Sequence, residues 1–315
     1  MTDSTGEAAL IGIGELARRT GFAVRTIRFY CDEGLLEAHR SPGGHRVFDA
    51  GSTTERLGLI RRLRALGLGL GSITEVVRGE RSLAEVVAAE TARVDLEFRA
   101  LAWRRASLRA LDAVDPARRD ERLALLAAAQ DGRAVHDELV RLWRRILAPI
   151  PGRHVETYVG WNVPEPPVDP SVEEVVAYAE LAALAGDPAV RGAVRHQLWR
   201  SRPELVRDPS ALYCAIDESL VEVVAQVGVD APPRPGRALD RFVAAHAAPR
   251  GEHDSPHFRN QLLRDAADTD PRVRRYWECT ALLLGERITV GRALHWVHGA
   301  LTHPPEDERA DSHSP

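Results

Sequence analysis

The sequence predicts a mainly α-helical protein with a small β-hairpin near its N-terminus and an all-α C-terminal region. Three observations support this prediction. Two short helical patterns are followed by a glycine-centred hairpin pattern within the first 50 residues, and the stretch from Ser82 to about Val114 contains neither Gly nor Pro. Helical spacing of apolar residues then continues through most of the remaining chain. With 315 residues the chain is long enough for two domains, each with its own core.

The composition is that of a globular protein, with 44% apolar and 28% charged residues. No apolar run approaches the roughly 20 residues that a membrane-spanning helix needs, and the N-terminal sequence MTDSTGEAAL lacks the basic and apolar profile of a secretory signal. We therefore expect a cytoplasmic protein that does not contact a membrane. The three cysteines lie far apart in sequence and predict neither a disulfide framework nor a CxxC site.

The stretch IGELARRTGFAVRTIRFY has the apolar spacing of two short helices that pack against each other. Gly21 falls between them, where a tight turn requires a residue that tolerates positive φ. This combination is the helix-turn-helix pattern, although a plain helical hairpin would show the same spacing.

We place the second helix of this pair at about residues 23–33. Val24, Ile27 and Cys31 share one face of that helix and should be buried, which makes Cys31 an apolar filler. Arg25 and Phe29 face outward, with Thr26 and Arg28 beside them. Guanidinium and hydroxyl groups on this face can meet DNA phosphates or base edges, while a solvated charged surface is the alternative.

The next stretch, LLEAHRSPGGHRVFD, predicts two strands joined by a turn at Gly43-Gly44. Arg40, His45 and Arg46 cluster near this turn and form a basic finger directly after the helix pair. The following sequence, TTERLGLIRRLRALGLGLGSITEVV, predicts a long helix and a shorter one after it.

The same part of the chain is locally basic. Residues 10–78 contain 11 Arg and 7 acidic residues, a charge of +4 within a protein whose net charge is −4. A basic segment of this kind is typical of a module that contacts DNA.

Residues 11–114 resemble the mercury-resistance regulator (MerR) family of bacterial transcription factors. The resemblance lies in IGELARRTGFAVRTIRFYCDEGLL, the wing RSPGGHRVF, the helix pair RLGLIRRLRALGLGLGSI and the long helix after it, which follow the family's order and spacing. The chain has RFY where the family usually has two adjacent tyrosines, and HR where the wing usually has Tyr-Arg. Both replacements are mild. The resemblance implies a winged helix-turn-helix DNA-binding domain at residues 11–80.

The helix-face pattern and the resemblance together predict a set of DNA-contacting residues in both the helix pair and the wing. The resemblance also implies a homodimer that binds an inverted repeat in a promoter whose spacer is too long for RNA polymerase. In the family, effector binding makes the dimer bend and untwist this double-stranded DNA, which realigns the promoter elements. The predicted DNA-contacting residues are Arg18, Arg25, Thr26, Arg28, Phe29, Tyr30, Arg40, Gly44, His45, Arg46 and Arg62.

A dimerisation helix is predicted at residues 81–114. Val87, Val94, Leu101 and Leu108 repeat every seven residues, as the a positions of a coiled coil do, and Leu111 adds a d position. Acidic residues dominate the first half of the helix and arginines the second, so two copies attract each other when they are antiparallel. The helix dipole favours the same charge distribution in any helix. The resemblance independently implies an antiparallel dimer helix here.

Residues 115–302 predict nine helices and match no glycine-rich phosphate loop, GxSxG or HExxH motif. We therefore expect an all-α effector domain without enzymatic activity. Metal sensors of the MerR family place cysteines at the start of the dimer helix and in the loop after it, and its redox sensors need a four-cysteine cluster there. Both are absent from this sequence, and we expect no metal site and no cofactor. The polar ends, residues 1–10 and 303–315, are predicted to be disordered.

Aromatic residues in the C-terminal region suggest what this domain binds. Tyr158 and Trp161 lie in the largest break of the helical pattern, a Pro-rich stretch at residues 148–170, where core packing explains them least. Some effector domains of the MerR family are wholly helical and bind organic drugs. The resemblance therefore implies a hydrophobic or aromatic organic ligand, with Tyr158 and Trp161 as its contacts. Alternatively, the helical domain docks a partner protein and binds no small molecule.

Overall fold

The computed structural model describes residues 9–148, 150, 152–199, 202–264, 266, 269–285 and 287–303. Most of the two predicted polar tails lies outside these ranges, and Leu10, the last residue of the first tail, begins a β-strand. The described chain is mainly helical with one small sheet near its N-terminus, which confirms the predicted fold class. It divides into two compact units, one ending at Glu97 and the other beginning at Phe98. Among the described helices, none is long and apolar enough to cross a membrane.

The first unit combines short helices with a three-stranded antiparallel sheet in the order β1-β3-β2. Strands β2 and β3 form the predicted hairpin, and β1, which the sequence did not predict, pairs with β3 so that Leu10 lies opposite Asp49. The elements, with the long helix that continues into the second unit, are β1 (Leu10–Gly12), α1 (Ile13–Thr20), α2 (Val24–Asp32), β2 (His39–Arg40), β3 (Arg46–Asp49), α3 (Ala50–Ala65), α4 (Leu70–Val77) and α5 (Leu83–Asp112).

One apolar core holds the first unit together. Leu16 of α1, Ile27 of α2 and Phe48 of β3 are completely buried in it, as are Leu57 and Ile60 of α3. Burying a side chain of this size stabilises a fold by roughly 1.5–3 kcal/mol. The core therefore fixes the positions of both helices of the helix-turn-helix and of the sheet beside them.

The turn between α1 and α2 depends on a left-handed glycine. Gly21 has φ +74° and its amide donates a hydrogen bond to the carbonyl of Ala17. A side chain is strained in this conformation, so glycine ends α1 and lets the chain reverse into α2. This is the role that the sequence predicted for Gly21.

The second unit is built from the end of α5 and ten further helices. Nine of these match the predicted helices, and the tenth, α8, lies inside the stretch that the sequence predicted to be a Pro-rich break. Three short 3₁₀ turns at Pro116–Arg118, Pro203–Leu205 and Ala248–Arg250 connect some of them. The helices are α6 (Arg119–Ala127), α7 (Gly132–Ile146), α8 (Gly152–Asn162), α9 (Val172–Gly186), α10 (Pro188–Trp199), α11 (Pro209–Gly228), α12 (Arg237–Ala247), α13 (Pro256–Arg264), α14 (Pro271–Leu284) and α15 (Val290–Thr302).

Aromatic residues form the centre of the second core. Trp143 of α7 is completely buried, and its indole N–H donates a 2.8 Å hydrogen bond to the hydroxyl oxygen of Tyr276 on α14. The Trp277 indole donates in the same way to Gln197 on α10, at 2.8 Å. A buried indole N–H needs a hydrogen-bond acceptor, and these pairs supply one inside the core. Core packing therefore explains three of the aromatic residues in this half of the chain: Trp143, Tyr276 and Trp277.

Candidate functional site

Helix α2 presents a basic surface. Arg25 and Arg28 are exposed, and Phe29, one turn after Arg25, is 45% exposed, as the sequence predicted. Neither arginine forms an ion pair or hydrogen bond with any residue that the structure describes. Thr26 is half-buried beside them. This face therefore offers two uncompensated guanidinium groups, which suits the neutralisation of DNA phosphates.

The ring of Tyr30 belongs to the core of the first unit. Its side chain is only 8% exposed and packs in the core, where its ring contacts the edge of Phe22 with 5.9 Å between centroids. The buried stripe of α2 is formed by Ile27 and Tyr30, three residues apart, whereas Val24 and Cys31 are half-buried at its margins. The Tyr30 ring thus holds α2 in place, and the contact of Tyr30 with DNA stays a prediction.

The wing has a tight tip. The Ser41 amide donates to the carbonyl of His45 at 2.9 Å, and the Gly44 amide donates to the carbonyl of Ser41 at 2.8 Å. Gly44 has φ +79°, so a residue with a side chain would be strained there. Arg40 and His45 are both exposed on this hairpin. The turn therefore places two predicted DNA-contacting side chains at the tip, with Gly44 fixing the backbone between them.

Arg46 lies at the base of the wing and is held by a residue that the sequence did not single out. Its guanidinium forms an ion pair with the carboxylate of Asp32, at 2.9 Å. The Arg46 side chain is 38% exposed and that of Asp32 is 63% exposed, so the pair contributes at most about 1 kcal/mol. The two residues are 14 positions apart, and no local pattern links them. The pair aligns the wing with the C-terminal end of α2.

A second arginine outside the predicted set fixes the turn of the helix-turn-helix. Arg61 on α3 donates a hydrogen bond to the carbonyl of Thr20 and lies over the ring of Phe22, 4.5 Å from its centroid. Of the predicted residues nearby, Arg62 is exposed without a partner in the described chain, and Arg18 forms an ion pair with Glu15 on α1. Arg61 is thus a positioning residue, and Arg62 is free to meet a polyanion.

The predicted dimer helix exposes its apolar seam. Val87 is 41% exposed, Val94 49%, Leu101 64% and Leu108 59%. Every residue from Thr91 to Leu101 is exposed, so the chain's own fold leaves the middle of α5 uncovered. Large apolar side chains repeated along an uncovered helix are typical of a surface that another helix covers.

Leu111, the predicted d position, departs from this pattern. It is half-buried and packs against the core of the second unit. Trp103, Ala106 and Ala110 are buried in the same core, and the turn of the helix places them on the side opposite Leu101. Leu111 lies between these two faces and is therefore at most a marginal contact of the seam.

The charges on α5 are partly neutralised within the helix. Arg93 forms ion pairs with Glu90, three residues before it, and with Glu97, four residues after it. The Arg93 guanidinium holds the pKa of the Glu90 carboxyl below its usual value. Part of the acidic charge that predicts an antiparallel arrangement is therefore already paired in one chain.

A cavity of about 360 Å³ opens in the second unit, between α8, α11 and the start of α15. Tyr158 and Trp161, the two predicted ligand contacts, both line it. Trp161 is 58% exposed at the rim. The hydroxyl oxygen of Tyr158 is buried and has no hydrogen-bond partner among the residues that the structure describes. Other lining residues are Leu147, Tyr213, Val224 and Ile288.

The two aromatic residues are on a helix, which corrects the prediction that they lie on a loop acting as a lid. Helix α8 is anchored by Asn162, which is 1% exposed. The Asn162 side-chain amide donates to the carbonyl of Tyr158 at 3.0 Å, and its side-chain oxygen accepts from the Val290 amide at 3.0 Å. These bonds join the end of α8 to the start of α15. The aromatic wall of the cavity is thus a fixed helix.

One edge of the cavity carries a polar group of three side chains that the sequence did not single out. The imidazole Nδ1 of His154 lies 3.4 Å from the carboxylate of Asp217, and its Nε2 lies 3.8 Å from the thiol sulfur of Cys214. Burial raises the pKa of the Asp217 carboxyl, and the neighbouring His154 opposes that shift. His154 and Cys214 are 60 positions apart, which no sequence spacing reveals. A carboxylate, an imidazole and a thiol in this order can move a proton from sulfur to nitrogen.

A second, more polar cleft of about 580 Å³ lies beside α14 and α15. Trp277 and Trp296 line it together with charged side chains such as Arg292 and Glu278. In the part of the chain that the structure describes, no three His, Cys, Asp or Glu side chains are grouped so that they could hold a metal ion.

Comparison with known proteins matches a family model to the region of α1, α2 and the wing. The family model described as MerR HTH family regulatory protein matches residues 12–80. Nodulation protein NolA of Bradyrhizobium elkanii is 42% identical over 86 residues, which are 27% of this chain and 39% of NolA. The chain therefore spans about two fifths of the length of this relative.

A second kind of relative is shorter. The HTH-type transcriptional regulator HmrR of Rhizobium leguminosarum bv. viciae is 26% identical over 105 residues, which are 31% of this chain and 81% of HmrR. No solved structure shows a significant match to the chain. Both the sequence matches and the geometry of α1, α2 and the wing lead to one assignment: residues 12–80 are a DNA-binding helix-turn-helix domain of the MerR family of transcription regulators.

Proposed function

We propose that this protein is a transcription regulator that binds promoter DNA as a homodimer and changes the shape of that DNA when the second unit binds an apolar organic ligand. The observation that carries the proposal is the uncompensated arginine pair on α2, in a domain that matches the MerR family. The arginines of the wing extend the same basic surface within one compact unit.

The DNA-binding part of the proposal follows from charge and exposure. Arg25, Arg28 and Arg62 are exposed cations without partners in the described chain, and Arg40 donates only one long hydrogen bond, at 3.5 Å, to a backbone carbonyl. Each can neutralise one phosphate and release counterions from the duplex. Phe29, exposed beside these arginines of α2, can contact a sugar or a thymine methyl group.

The dimer part follows from the uncovered seam of α5. A second copy that runs antiparallel would place Leu101 of each chain near the middle of a continuous apolar contact. The acidic first half of each helix would then face the arginine-rich second half of its partner. The apolar seam supplies the affinity, and the charges set the orientation.

Two half-sites held at a fixed distance by one dimer explain how such a protein acts on a promoter. We propose that it binds an inverted repeat between the promoter elements and that its ligand-bound form bends and untwists the DNA so that RNA polymerase can engage both elements. The energy for this distortion comes from the added protein contacts that the bent DNA allows. The ligand shifts the population of the dimer toward the distorting state.

The ligand part rests on the cavity at α8. About 360 Å³ is enough for a small organic molecule, and the walls are aromatic and aliphatic, with Tyr158 and Trp161 among them. An apolar or aromatic compound would be bound by burial and ring stacking. The fixed helix α8 provides a preformed binding wall, which reduces the ordering cost of binding.

The decisive experiment selects DNA fragments from the source genome on the full-length dimer and footprints the enriched sequences. We expect an inverted repeat with two protected half-sites, and we expect the double variant Arg25→Ala/Arg28→Ala to enrich nothing above background. Enrichment of sequences without two-fold symmetry would contradict the homodimer. No enrichment by the native protein would contradict specific DNA recognition.

A further inference from the structure

The group formed by Cys214, His154 and Asp217 lies at the edge of the α8 cavity. His154 and Asp217 line the cavity themselves. Cys214 is exposed and lies two turns before Val221, another lining residue, on the same side of α11. A molecule seated in the cavity would therefore extend toward the thiol.

The order of the three side chains is that of an activated nucleophile. The Asp217 carboxylate can accept the Nδ1–H of His154, which leaves the lone pair of Nε2 directed at the Cys214 sulfur. The imidazole can then take the thiol proton, and the Asp217 charge stabilises the resulting imidazolium. The separation of 3.8 Å between Nε2 and Sγ is within the reach of a sulfur hydrogen bond.

We propose that Cys214 is a reactive thiol that captures an apolar α,β-unsaturated carbonyl compound held in the α8 cavity. The proposal rests on the ligand-binding part of the proposed function and names the chemical class of the ligand. An enone or enal combines an apolar body, which the aromatic wall can bury, with an electrophilic carbon at one end.

The reaction is balanced without any further reagent. The Cys214 proton passes to Nε2 of His154, and the thiolate sulfur forms a bond to the β-carbon of the ligand. The π electron pair of the carbon–carbon double bond moves to the α-carbon and carbonyl oxygen as an enolate. The imidazolium then returns the proton to the α-carbon. The net change is addition of S–H across the double bond, with no oxidation and no leaving group.

The other two cysteines are poor competitors. Cys279 is 1% exposed, and burial raises the pKa of its thiol to about 12. Cys31 is half-buried in the first unit, and burial raises the pKa of its thiol as well. Since the thiolate is the nucleophile, both should react far more slowly than Cys214.

The first test uses 4-phenyl-3-buten-2-one, an apolar aromatic enone, as the probe on the full-length protein. Intact-mass spectrometry should show one added probe molecule per chain, and peptide mapping should place it on Cys214. The Cys214→Ser variant should show no adduct. Adducts spread equally over Cys31 and Cys214, or absent altogether, would overturn the proposal.

The second test measures the rate of Cys214 modification against pH. With His154 in place, the rate should already be high near neutral pH. His154→Ala should lower the rate at neutral pH by at least about tenfold, because the imidazole that takes the thiol proton is gone. The neutral-pH rate of Asp217→Asn should lie between those of the native protein and of His154→Ala. A pH profile that is unchanged in His154→Ala would show that the imidazole does not activate the thiol.

The saturated analogue 4-phenyl-2-butanone tests ligand binding in the cavity separately from the covalent step. It has the same apolar body but cannot react with a thiol. If it binds the native protein reversibly while the enone gives no adduct, the cavity binds ligands and the covalent step is wrong. If neither compound binds, the cavity does not hold ligands of this class, and both proposals fail for it.

Discussion

Arg46 at the base of the wing and Asp32 at the end of α2 form an ion pair, with 2.9 Å between the guanidinium nitrogen and the carboxylate oxygen. The pair joins the two elements expected to contact DNA. A phosphate that approaches Arg46 must compete with Asp32 for the same guanidinium. We therefore expect the ion pair to position the wing and also to lower the affinity for DNA of any sequence.

Replacing Arg46 by Ala should weaken binding to specific and random duplexes alike, because a phosphate contact carries no sequence information. The slope of log affinity against log salt should fall by about one unit, as expected for one lost phosphate contact. Fluorescence anisotropy at several salt concentrations measures both effects. Arg141→Ala, which removes an exposed arginine of the second unit, is the control. Unchanged affinity for both duplexes would show that Arg46 does not contact DNA.

Replacing Asp32 by Asn should have the opposite effect. Without the competing carboxylate, Arg46 becomes available to the duplex, and affinity for random DNA should rise with a steeper salt dependence. The same anisotropy titrations measure both the affinity and its salt dependence. If Asp32→Asn weakens DNA binding, the ion pair acts mainly by holding the wing in place.

Leu101→Asp and Val94→Arg should convert the dimer to monomers, because each places a charge in the apolar seam. A tenfold weaker dimer corresponds to about 1.4 kcal/mol, and a buried unpaired charge should exceed that. Sedimentation at several protein concentrations gives the oligomeric state. Ala92→Asp, on an exposed position on the opposite side of α5, is the matched control and should remain dimeric. Dimerisation of a fragment ending at residue 80 would place the interface elsewhere.

Trp161→Ala should lower the affinity for 4-phenyl-2-butanone by about tenfold or more, while operator binding stays unchanged. Binding should also shift the emission of the native protein, since the ligand covers an indole that is 58% exposed. Tyr158→Ala should weaken ligand binding as well. His295→Ala, in the separate cleft beside α15, is the control. Equal affinity in Trp161→Ala and the native protein would exclude α8 as the binding wall.

Gly291→Ala should destabilise the second unit by about 1–3 kcal/mol, because a Cβ at this position would overlap the Trp277 indole. Gly192→Ala on α10 is the matched control: its Cβ would meet nothing within 4 Å. That control should stabilise its helix by about 0.5–1 kcal/mol. Urea unfolding followed by circular dichroism gives both values. A neutral Gly291→Ala would mean that Trp277 can move without cost.

Local chemistry explains why much of the first unit could be predicted from the sequence. Gly21 and the Gly43-Gly44 pair mark turns that can be recognised from a few neighbouring residues. The amphipathic spacing of α1 and α2 shows which of their residues face the core. The burial of the Tyr30 ring could not be predicted, because helical periodicity gives the faces of α2 but does not show how wide its buried stripe is. Strand β1 was missed because its three residues become a strand only through pairing with β3.

Less of the second unit could be predicted from the sequence. Helix α8 has Gly152 and Gly160 within it and a Pro-rich segment after it, so its helix propensity is low. It is stabilised by burial of Val155 and Val159 and by the hydrogen bonds of Asn162. Tyr158 and Trp161 were nevertheless chosen from sequence, and both lie on the cavity. The cavity and its Cys214–His154 contact are formed by helices that lie far apart in the chain. Patterns within a short stretch of sequence therefore cannot predict them.

In the proposed dimer, the partner covers the exposed stretch of α5 from Thr91 to Leu101, so the stability of the fold should depend on protein concentration. A chain whose partner covers that stretch is stabilised by mass action, so its melting temperature rises with total protein. Dilution should therefore lower the melting temperature of the protein.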